Sequence, residues 1–180
     1  MKGDPITTYS GISFYVLEPE IDKIKDEDIA HALSLLCRGN GHYRYFYSVA
    51  QHCLNCLLEA RARGYSQRIQ MACLIHDGSE AYISDITRPV KQYLTAYHTL
   101  EQNIQELIYE RYGIGDLTEA ERTVLGGVDD AVLYYEFEAL HIPFDTEAPE
   151  KKADFDFSLR EAKKVEEEFL KELSVLRQAL

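Results

Sequence analysis

The sequence predicts an all-α protein, a compact helical bundle with a short N-terminal extended segment. From about residue 28 onward, apolar residues recur at spacings of three and four, the pattern of helices with one buried face. Residues of strand-like composition are confined to roughly the first 18 positions. The chain has 180 residues, of which 46% are hydrophobic, so it can bury a sizeable core and is not intrinsically disordered. We therefore expect a single domain over residues 1–180.

The extended segment covers residues 7–17, where β-branched and aromatic side chains are mixed with two glycines. This composition predicts a short strand or a hairpin. Pro19 follows it, and the acidic residues at 26–28 suit the beginning of the first helix.

Helices are predicted at 28–38, 47–63, 67–77, 87–112, 118–140 and 155–178, separated by glycine- and proline-containing breaks. Thr118 and Glu121 have the spacing of a capping box at the start of the fifth helix. Gly126 and Gly127 lie inside that helix, where each costs about 1 kcal/mol relative to alanine. We therefore expect either a helix break there or another part of the chain close to the backbone.

The charge balance excludes several classes of partner. Lys and Arg total 19 against 31 Asp and Glu, a formal net charge of -12, whereas nucleic acids and anionic membranes require a positive surface. Four irregularly spaced cysteines do not form a disulfide framework, and no apolar run reaches the length of a membrane span. We expect a reduced, cytoplasmic protein that binds neither nucleic-acid polymers nor membranes.

Polar residues of metal-ligand type fall on the predicted buried faces of three helices. His52 lies on the apolar face of the second helix and His76 on that of the third, followed directly by Asp77. Asp130 begins the face that continues through the apolar residues of the fifth helix, and its neighbour Asp129 points about 100° away. Each residue alone has a structural explanation, as a hydrogen-bonded core histidine or a helix cap. Together they suit a transition-metal site with positions left open for hydrolysis.

The residues after this His-Asp pair add acidic and basic groups. Glu80 follows His76 by four residues, which would place it on the same cavity if the helical turn continues. Arg88 and Lys91 are three apart and suit a local cationic pocket in an acidic protein. The alternative is an ordinary cluster of caps and salt bridges around a helix that starts at Pro89.

The arrangement His52, His76-Asp77, Asp130 resembles the signature of the HD-domain metal-dependent phosphohydrolases. The resemblance extends to the flanking segments 28–34, 37–38, 41–42, 47–53 and 76–91. They are similar to a compact branch that includes bacterial 5′-deoxynucleotidases and phage dATP triphosphohydrolases. The resemblance covers most of residues 7–140, with core motifs at 28–140. It departs from the family pattern at Gly39, where phenylalanine is usual, at Gly78, where alanine is commoner, and in the tyrosines after Asp130.

The resemblance implies an HD-type helical bundle with one divalent metal, Mn, Co, Fe, Ni or Zn, with Mg as a further candidate. The implied metal ligands are His52, His76, Asp77 and Asp130. Glu80 would handle protons near the attacking water, and Asp85 would be a second acid near the leaving group or a ligand organiser. The implied substrate-binding residues are Arg38, Arg88 and Lys91, which would hold phosphate, and His42, which would contact phosphate or orient the substrate.

The function implied is a metal-dependent phosphohydrolase acting on deoxyribonucleotides, with removal of the 5′-phosphate from a deoxynucleoside monophosphate preferred. Release of triphosphate from a deoxynucleoside triphosphate is the alternative. More remote are an alarmone or cyclic-nucleotide hydrolase and a non-catalytic nucleotide-binding protein. A homo-oligomer is also expected. Tyr134 or Tyr135 is a candidate for stacking on the base, whereas Cys53 and Cys56 are interpreted as buried hydrophobic residues.

Overall fold

A computed structural model describes residues 2–180 and has the predicted all-α architecture. The strands are β1 (Ile6–Thr7) and β2 (Ser13–Phe14). The helices are α1 (Asp26–Leu35), α2 (Val49–Ala62), α3 (Gln67–Ile75), α4 (Glu80–Ile83), α5 (Arg88–Lys91), α6 (Thr95–Arg111), α7 (Glu119–Leu140) and α8 (Ala162–Ala179). Short 3-10 turns lie at Ile21–Lys23 and Arg38–Gly41.

The N-terminal segment is a two-stranded antiparallel hairpin in which Ile6 pairs with Phe14. Phe14 is buried and stacks on Tyr82, with ring centroids 4.0 Å apart. The hairpin therefore adds one aromatic side chain to the helical core.

Two of the predicted helices differ from those in the structure. The helix predicted at 87–112 is two helices, α5 and α6, joined by a turn over residues 92–94. The last helix begins at Ala162 rather than 155, because the preceding residues pass over α2 and bond to two of its buried polar side chains. Glu59 accepts hydrogen bonds from the backbone N–H groups of Lys152 and Ala153, and Asn55 accepts one from Asp156. Backbone bonded in this way does not need helical partners.

Side-chain caps fix the start of α2 and of α7. Ser48 and Gln51 form a capping box at α2, and Thr118 and Glu121 form the predicted one at α7. In the core, α2 packs against α3 and α7, and α1 packs along α8. The bundle thereby brings α2, α3 and α7 into contact with one another.

Helix α7 is continuous through Gly126 and Gly127, which corrects both expectations for this pair. Both glycines are exposed, and no atom outside the helix backbone lies within 4 Å of where their Cβ would be. Neither adopts a positive φ. Tertiary packing elsewhere along this 22-residue helix outweighs their low helix propensity.

Among residues 2–180, no helix is both long and apolar enough to cross a membrane.

Candidate metal centre

Four side chains from three helices converge at one point. The Nε2 atoms of His52, on α2, and His76, directly after α3, are 3.2 Å apart. Asp77 Oδ2 lies 3.3 Å from His76 Nε2, and Asp129 Oδ1, from α7, lies 3.1 Å from His52 Nε2. His52 is fully buried. Three of the four predicted ligand residues are thus brought together.

The fourth predicted ligand, Asp130, lies outside this cluster, and the neighbouring Asp129 is in its place. The Asp130 side chain is 64% exposed and accepts a 2.6 Å hydrogen bond from Arg88. Asp130 was predicted because Leu133 and Phe137 were used to define the buried face of α7, although both line a cavity and are only partly buried. The core face of α7 is formed instead by Leu125, Val128, Val132, Glu136 and Leu140. Asp129 lies three residues before Val132 and seven before Glu136, so it shares that face.

Glu136, which the sequence analysis did not single out, holds His52 in place. Its carboxylate accepts hydrogen bonds from His52 Nδ1 at 2.6 Å, Arg38 Nε at 2.9 Å and Tyr43 Oη at 3.2 Å. Burial acts to raise the pKa of Glu136, but Arg38 and His52 outweigh it and lower the pKa to about 2. The sequence pattern that could have identified Glu136 is its position seven residues after Asp129, which places the two residues on the same face of α7.

The second imidazole is held in the same way, because His76 Nδ1 donates to the backbone carbonyl of Cys73 at 3.0 Å. With Nδ1 of both rings engaged as donors, the two Nε2 atoms face each other and the carboxylates of Asp77 and Asp129. Burial acts to lower the pKa of both rings, but nearby carboxylates outweigh it and raise the pKa of His52 and of His76. A divalent cation bound at the two Nε2 atoms would take the place of their protons. Hydrogen bonds to His52 and His76 overcome the effect of burial and hold the pKa of Asp129 well below its usual value. The donor set therefore fits a divalent metal ion.

Three buried thiols surround the histidines. Cys56 Sγ lies 3.5 Å from His52 Nε2, and Cys53 Sγ lies 4.0 Å from His76 Nδ1. Burial raises the pKa of Cys53 to about 11, that of Cys73 to about 12 and that of Cys56 well above its ordinary value. In the metal-free protein these are neutral thiols within the core.

A cavity of about 620 Å³ opens beside the cluster. Asp77 and Asp129 are on its wall, together with the buried carboxyl of Glu80. Among the described residues Glu80 Oε2 has no hydrogen-bond partner, and Lys91 Nζ lies 3.6 Å from Oε1. Burial, followed by the charges of Asp77 and Asp85, raises the pKa of Glu80 well above its ordinary value.

The three predicted phosphate-binding cations all line this cavity, and each is paired with a carboxylate. Arg38 is 12% exposed and contacts Asp77 and Asp129 in addition to Glu136. Arg88, which is 60% exposed, bridges Asp129 and Asp130 with two 2.6 Å hydrogen bonds. Lys91 donates to Glu101 at 2.5 Å. The alternative expectation of a salt-bridge cluster near Pro89 therefore also describes this region.

Of the remaining residues predicted to act in the site, two line the cavity and two do not. His42 is exposed on the cavity wall. Asp85 lines the cavity and accepts a hydrogen bond from the backbone N–H of Gly39 at 3.2 Å, so it organises the turn that carries Arg38. Tyr134 and Tyr135 are absent from the cavity wall and donate to the carbonyls of Thr146 and Pro149.

The cavity is also lined by Leu133, Phe137, His141 and Phe144, which the sequence analysis did not assign to a cavity. The rings of Phe137 and Phe144 are stacked, with centroids 4.3 Å apart. His141 Nδ1 is buried without a hydrogen-bond partner among the described residues. The cavity is thus lined by charged residues, including two of the cluster, and by a set of apolar and aromatic residues.

Comparison with known proteins gives relatives without an assigned activity. The chain is similar to the Uncharacterized protein YfdR of Escherichia coli (strain K12), with 40% identity over 109 residues, 61% of this chain and 58% of YfdR. It is also similar to the Uncharacterized protein RCAP_rcc00048 of Rhodobacter capsulatus, with 37% identity over 112 residues, 58% of this chain and 56% of that protein. The chain thus matches little more than half the length of these curated relatives. No protein-family model matches the sequence.

Proposed function

We propose that the protein is a metal-dependent phosphohydrolase that removes the 5′-phosphate from deoxynucleoside monophosphates. The observation that carries the proposal is the convergence of His52, His76, Asp77 and Asp129 at the wall of a cavity that also carries cationic side chains. The resemblance to the HD-domain phosphohydrolases supports it, with Asp129 in place of Asp130 as the fourth ligand.

The cluster would hold one divalent ion, which when bound acts as a Lewis acid on the phosphate and lowers the pKa of the attacking water. Arg38 presents a planar guanidinium between the cluster and the cavity, a shape that binds phosphate oxygens in pairs. Arg88 and Lys91 must share or exchange their present carboxylate partners to reach a phosphate. Binding of an anion therefore replaces one negative partner by another and leaves no cation unpaired.

Glu80 is positioned to donate a proton in the cavity. Its carboxyl is buried beside Lys91, and one oxygen is free of protein partners among the described residues. A protonated carboxyl in that position can supply the leaving group with a proton, a contribution of about 10²- to 10⁴-fold in rate for general acid catalysis.

The two sets of residues that line the cavity favour a nucleotide over a simple phosphate ester. Phosphate suits Arg38 and the metal cluster, and the stacked rings of Phe137 and Phe144 suit the flat face of a base. A cavity of about 620 Å³ is within the usual range for small-molecule sites, roughly 300–1,000 Å³.

The test is product analysis with purified, metal-free protein reloaded separately with Mn, Co and Zn. Each deoxynucleoside mono- and triphosphate is supplied, and the products are separated by chromatography. Deoxynucleoside and inorganic phosphate from the monophosphates support the proposal. Deoxynucleoside and intact triphosphate would instead support the alternative reaction, and no turnover with any metal would contradict both.

Two neighbouring aspartates provide a matched pair of variants for the metal centre. Asp129→Asn should abolish tight metal binding, because Asp129 contributes a carboxylate to the cluster, whereas Asp130→Asn should retain it. Calorimetric titration with zinc measures both. Equal loss in the two variants would overturn the assignment of Asp129.

A further inference from the structure

We propose that the thiol of Cys56 is an additional metal donor, so that the centre holds zinc or cobalt through sulfur as well as imidazole and carboxylate. This inference rests on the metal centre of the proposed function. It reverses the sequence interpretation of Cys56 as a buried hydrophobic residue and leaves that interpretation unchanged for Cys53.

The position of Cys56 follows from helix geometry. It lies one turn after His52 on α2, so the two side chains extend from the same face of the helix. Glu136 engages His52 Nδ1 and thereby turns Nε2 toward Cys56, whose Sγ lies 3.5 Å away. Donor atoms of His52, Cys56, His76 and Asp129 all lie within 4.8 Å of one another.

The separations within this set of four donors, which does not include Asp77, match those of ligands around one four-coordinate zinc ion. Bonds of about 2.3 Å to sulfur and about 2.0 Å to nitrogen, at a tetrahedral angle, separate the two atoms by roughly 3.5 Å. The separation of Cys56 Sγ and His52 Nε2 has that value. Two imidazole nitrogens on the same ion are separated by roughly 3.3 Å, and the two Nε2 atoms are 3.2 Å apart.

Cys53 is equally buried but approaches the wrong nitrogen. Its Sγ lies 4.0 Å from His76 Nδ1, which already donates to the carbonyl of Cys73. His76 presents Nε2, and not Nδ1, to the carboxylates of Asp77 and Asp129. A metal bound to that Nε2 is on the opposite side of the ring from Cys53. Cys53 also has donor atoms of His76 and Asp77 within 4.8 Å, but the nitrogen it approaches is already bonded to the Cys73 carbonyl. Cys53, which follows His52 directly on α2, is therefore the matched control.

A thiolate donor changes which metals the site prefers. Sulfur ligands favour Zn²⁺ and Co²⁺ over the harder Mn²⁺ and Mg²⁺, which prefer oxygen. Formation of the sulfur–metal bond replaces the S–H bond of Cys56, and the proton leaves to solvent. The predicted site is thus a thiophilic one, in contrast to a site with only His and Asp ligands.

The test is a titration of the metal-free protein with Co²⁺, followed by absorption spectroscopy. A thiolate ligand gives an intense near-ultraviolet charge-transfer band, whereas imidazole and carboxylate ligands give only weaker visible bands. The wild-type protein and Cys53→Ser should show both kinds of band. Cys56→Ser should keep the visible bands, lose the near-ultraviolet band and bind zinc at least about tenfold more weakly.

The outcomes separate this inference from the proposed function. Visible cobalt bands without the near-ultraviolet band in the wild-type protein, or the same near-ultraviolet band in Cys56→Ser, would overturn the role of Cys56 and leave the metal centre intact. No cobalt spectrum in the wild-type protein would overturn both. If Cys56→Ser does not fold, X-ray absorption of the zinc-loaded wild-type protein decides. Sulfur at about 2.3 Å from zinc supports the proposal, and a shell of nitrogen and oxygen alone contradicts it.

Discussion

The carboxylate of Glu136 lies 2.6 Å from Nδ1 of His52, and both side chains are fully buried. Since the same carboxylate also accepts hydrogen bonds from Arg38 and Tyr43, one residue of α7 orients a candidate metal ligand, a candidate phosphate-binding cation and a tyrosine of the cavity wall. A carboxylate bonded to the outer nitrogen of a ligating histidine fixes the ring and makes the inner nitrogen a better donor.

We therefore predict that Glu136→Gln weakens zinc binding by about 10- to 100-fold, the usual effect of losing such a partner. Glutamine keeps the shape of the side chain but removes the negative charge that pairs with His52 and Arg38. Calorimetric titration measures the affinity, and Glu138→Gln, an exposed position on the same helix, is the control. Unchanged affinity in Glu136→Gln would show that metal binding at His52 does not depend on the negative charge of this carboxylate.

The two glycines in α7 provide a test of stability that is independent of function. Gly126→Ala and Gly127→Ala should each raise the free energy of unfolding by about 1 kcal/mol, because alanine is the better helix former and the sites are exposed with no neighbouring atoms to clash. Urea unfolding measures the change. A loss of stability in either variant would mean that the glycine is required for a reason other than space.

These results show which parts of the site the sequence could predict. His52 and His76 were found because their helix neighbours are core residues, so the buried faces of α2 and α3 were assigned correctly. Asp130 was chosen because Leu133 and Phe137 were taken to mark the core face of α7, whereas they line the cavity. A hydrophobic pattern does not distinguish a cavity wall from a core. Glu136 was not singled out because a charged residue within a helix is usually on a solvated face. Only tertiary contacts identify its partners.

Gly78 lies where the HD-domain proteins that this sequence resembles more often have alanine. In this protein the space for an alanine methyl group is taken up by the side chain of Ile108, on α6. A Cβ at Gly78 would lie 3.0 Å from the carbonyl oxygen of Ile75 and 3.1 Å from Cδ1 of Ile108. We predict that Gly78→Ala lowers the free energy of unfolding by about 1–3 kcal/mol, the cost of overpacking a core.

The Ile108→Val variant tests that explanation, because it removes the Cδ1 atom that the new methyl group would meet. In a double-mutant cycle measured by urea unfolding, the two substitutions should be less destabilising together than the sum of their separate effects, by about 0.5 kcal/mol or more. Strict additivity would show that the Cδ1 contact is not the source of the strain, which would then lie at the Ile75 carbonyl or at Cγ2 of Ile108.

The contact between α8 and α1 should make stability depend on pH through Glu166. Its side chain is 7% exposed and accepts hydrogen bonds from Lys163 Nζ and His31 Nδ1, each at 3.0 Å. Burial acts to raise the pKa of Glu166, but these two donors outweigh it and lower the pKa below its ordinary value of 4.5. A carboxyl whose pKa is lower in the folded state stabilises that state above its unfolded pKa, and the stabilisation disappears as the pH falls through the folded value.

We therefore predict that Glu166→Gln is less stable than the wild-type protein at neutral pH, and that the difference shrinks as the pH falls below the ordinary pKa of 4.5. Below the folded pKa the wild-type carboxyl is protonated, so it has lost the charge that Lys163 and His31 stabilise and resembles the neutral amide. Urea unfolding of both proteins from neutral pH to about pH 3 measures the difference, with Glu167→Gln, at the exposed neighbouring position, as the control. A difference that stays constant over this range would show that the Glu166 side chain contributes through packing and not through its charge.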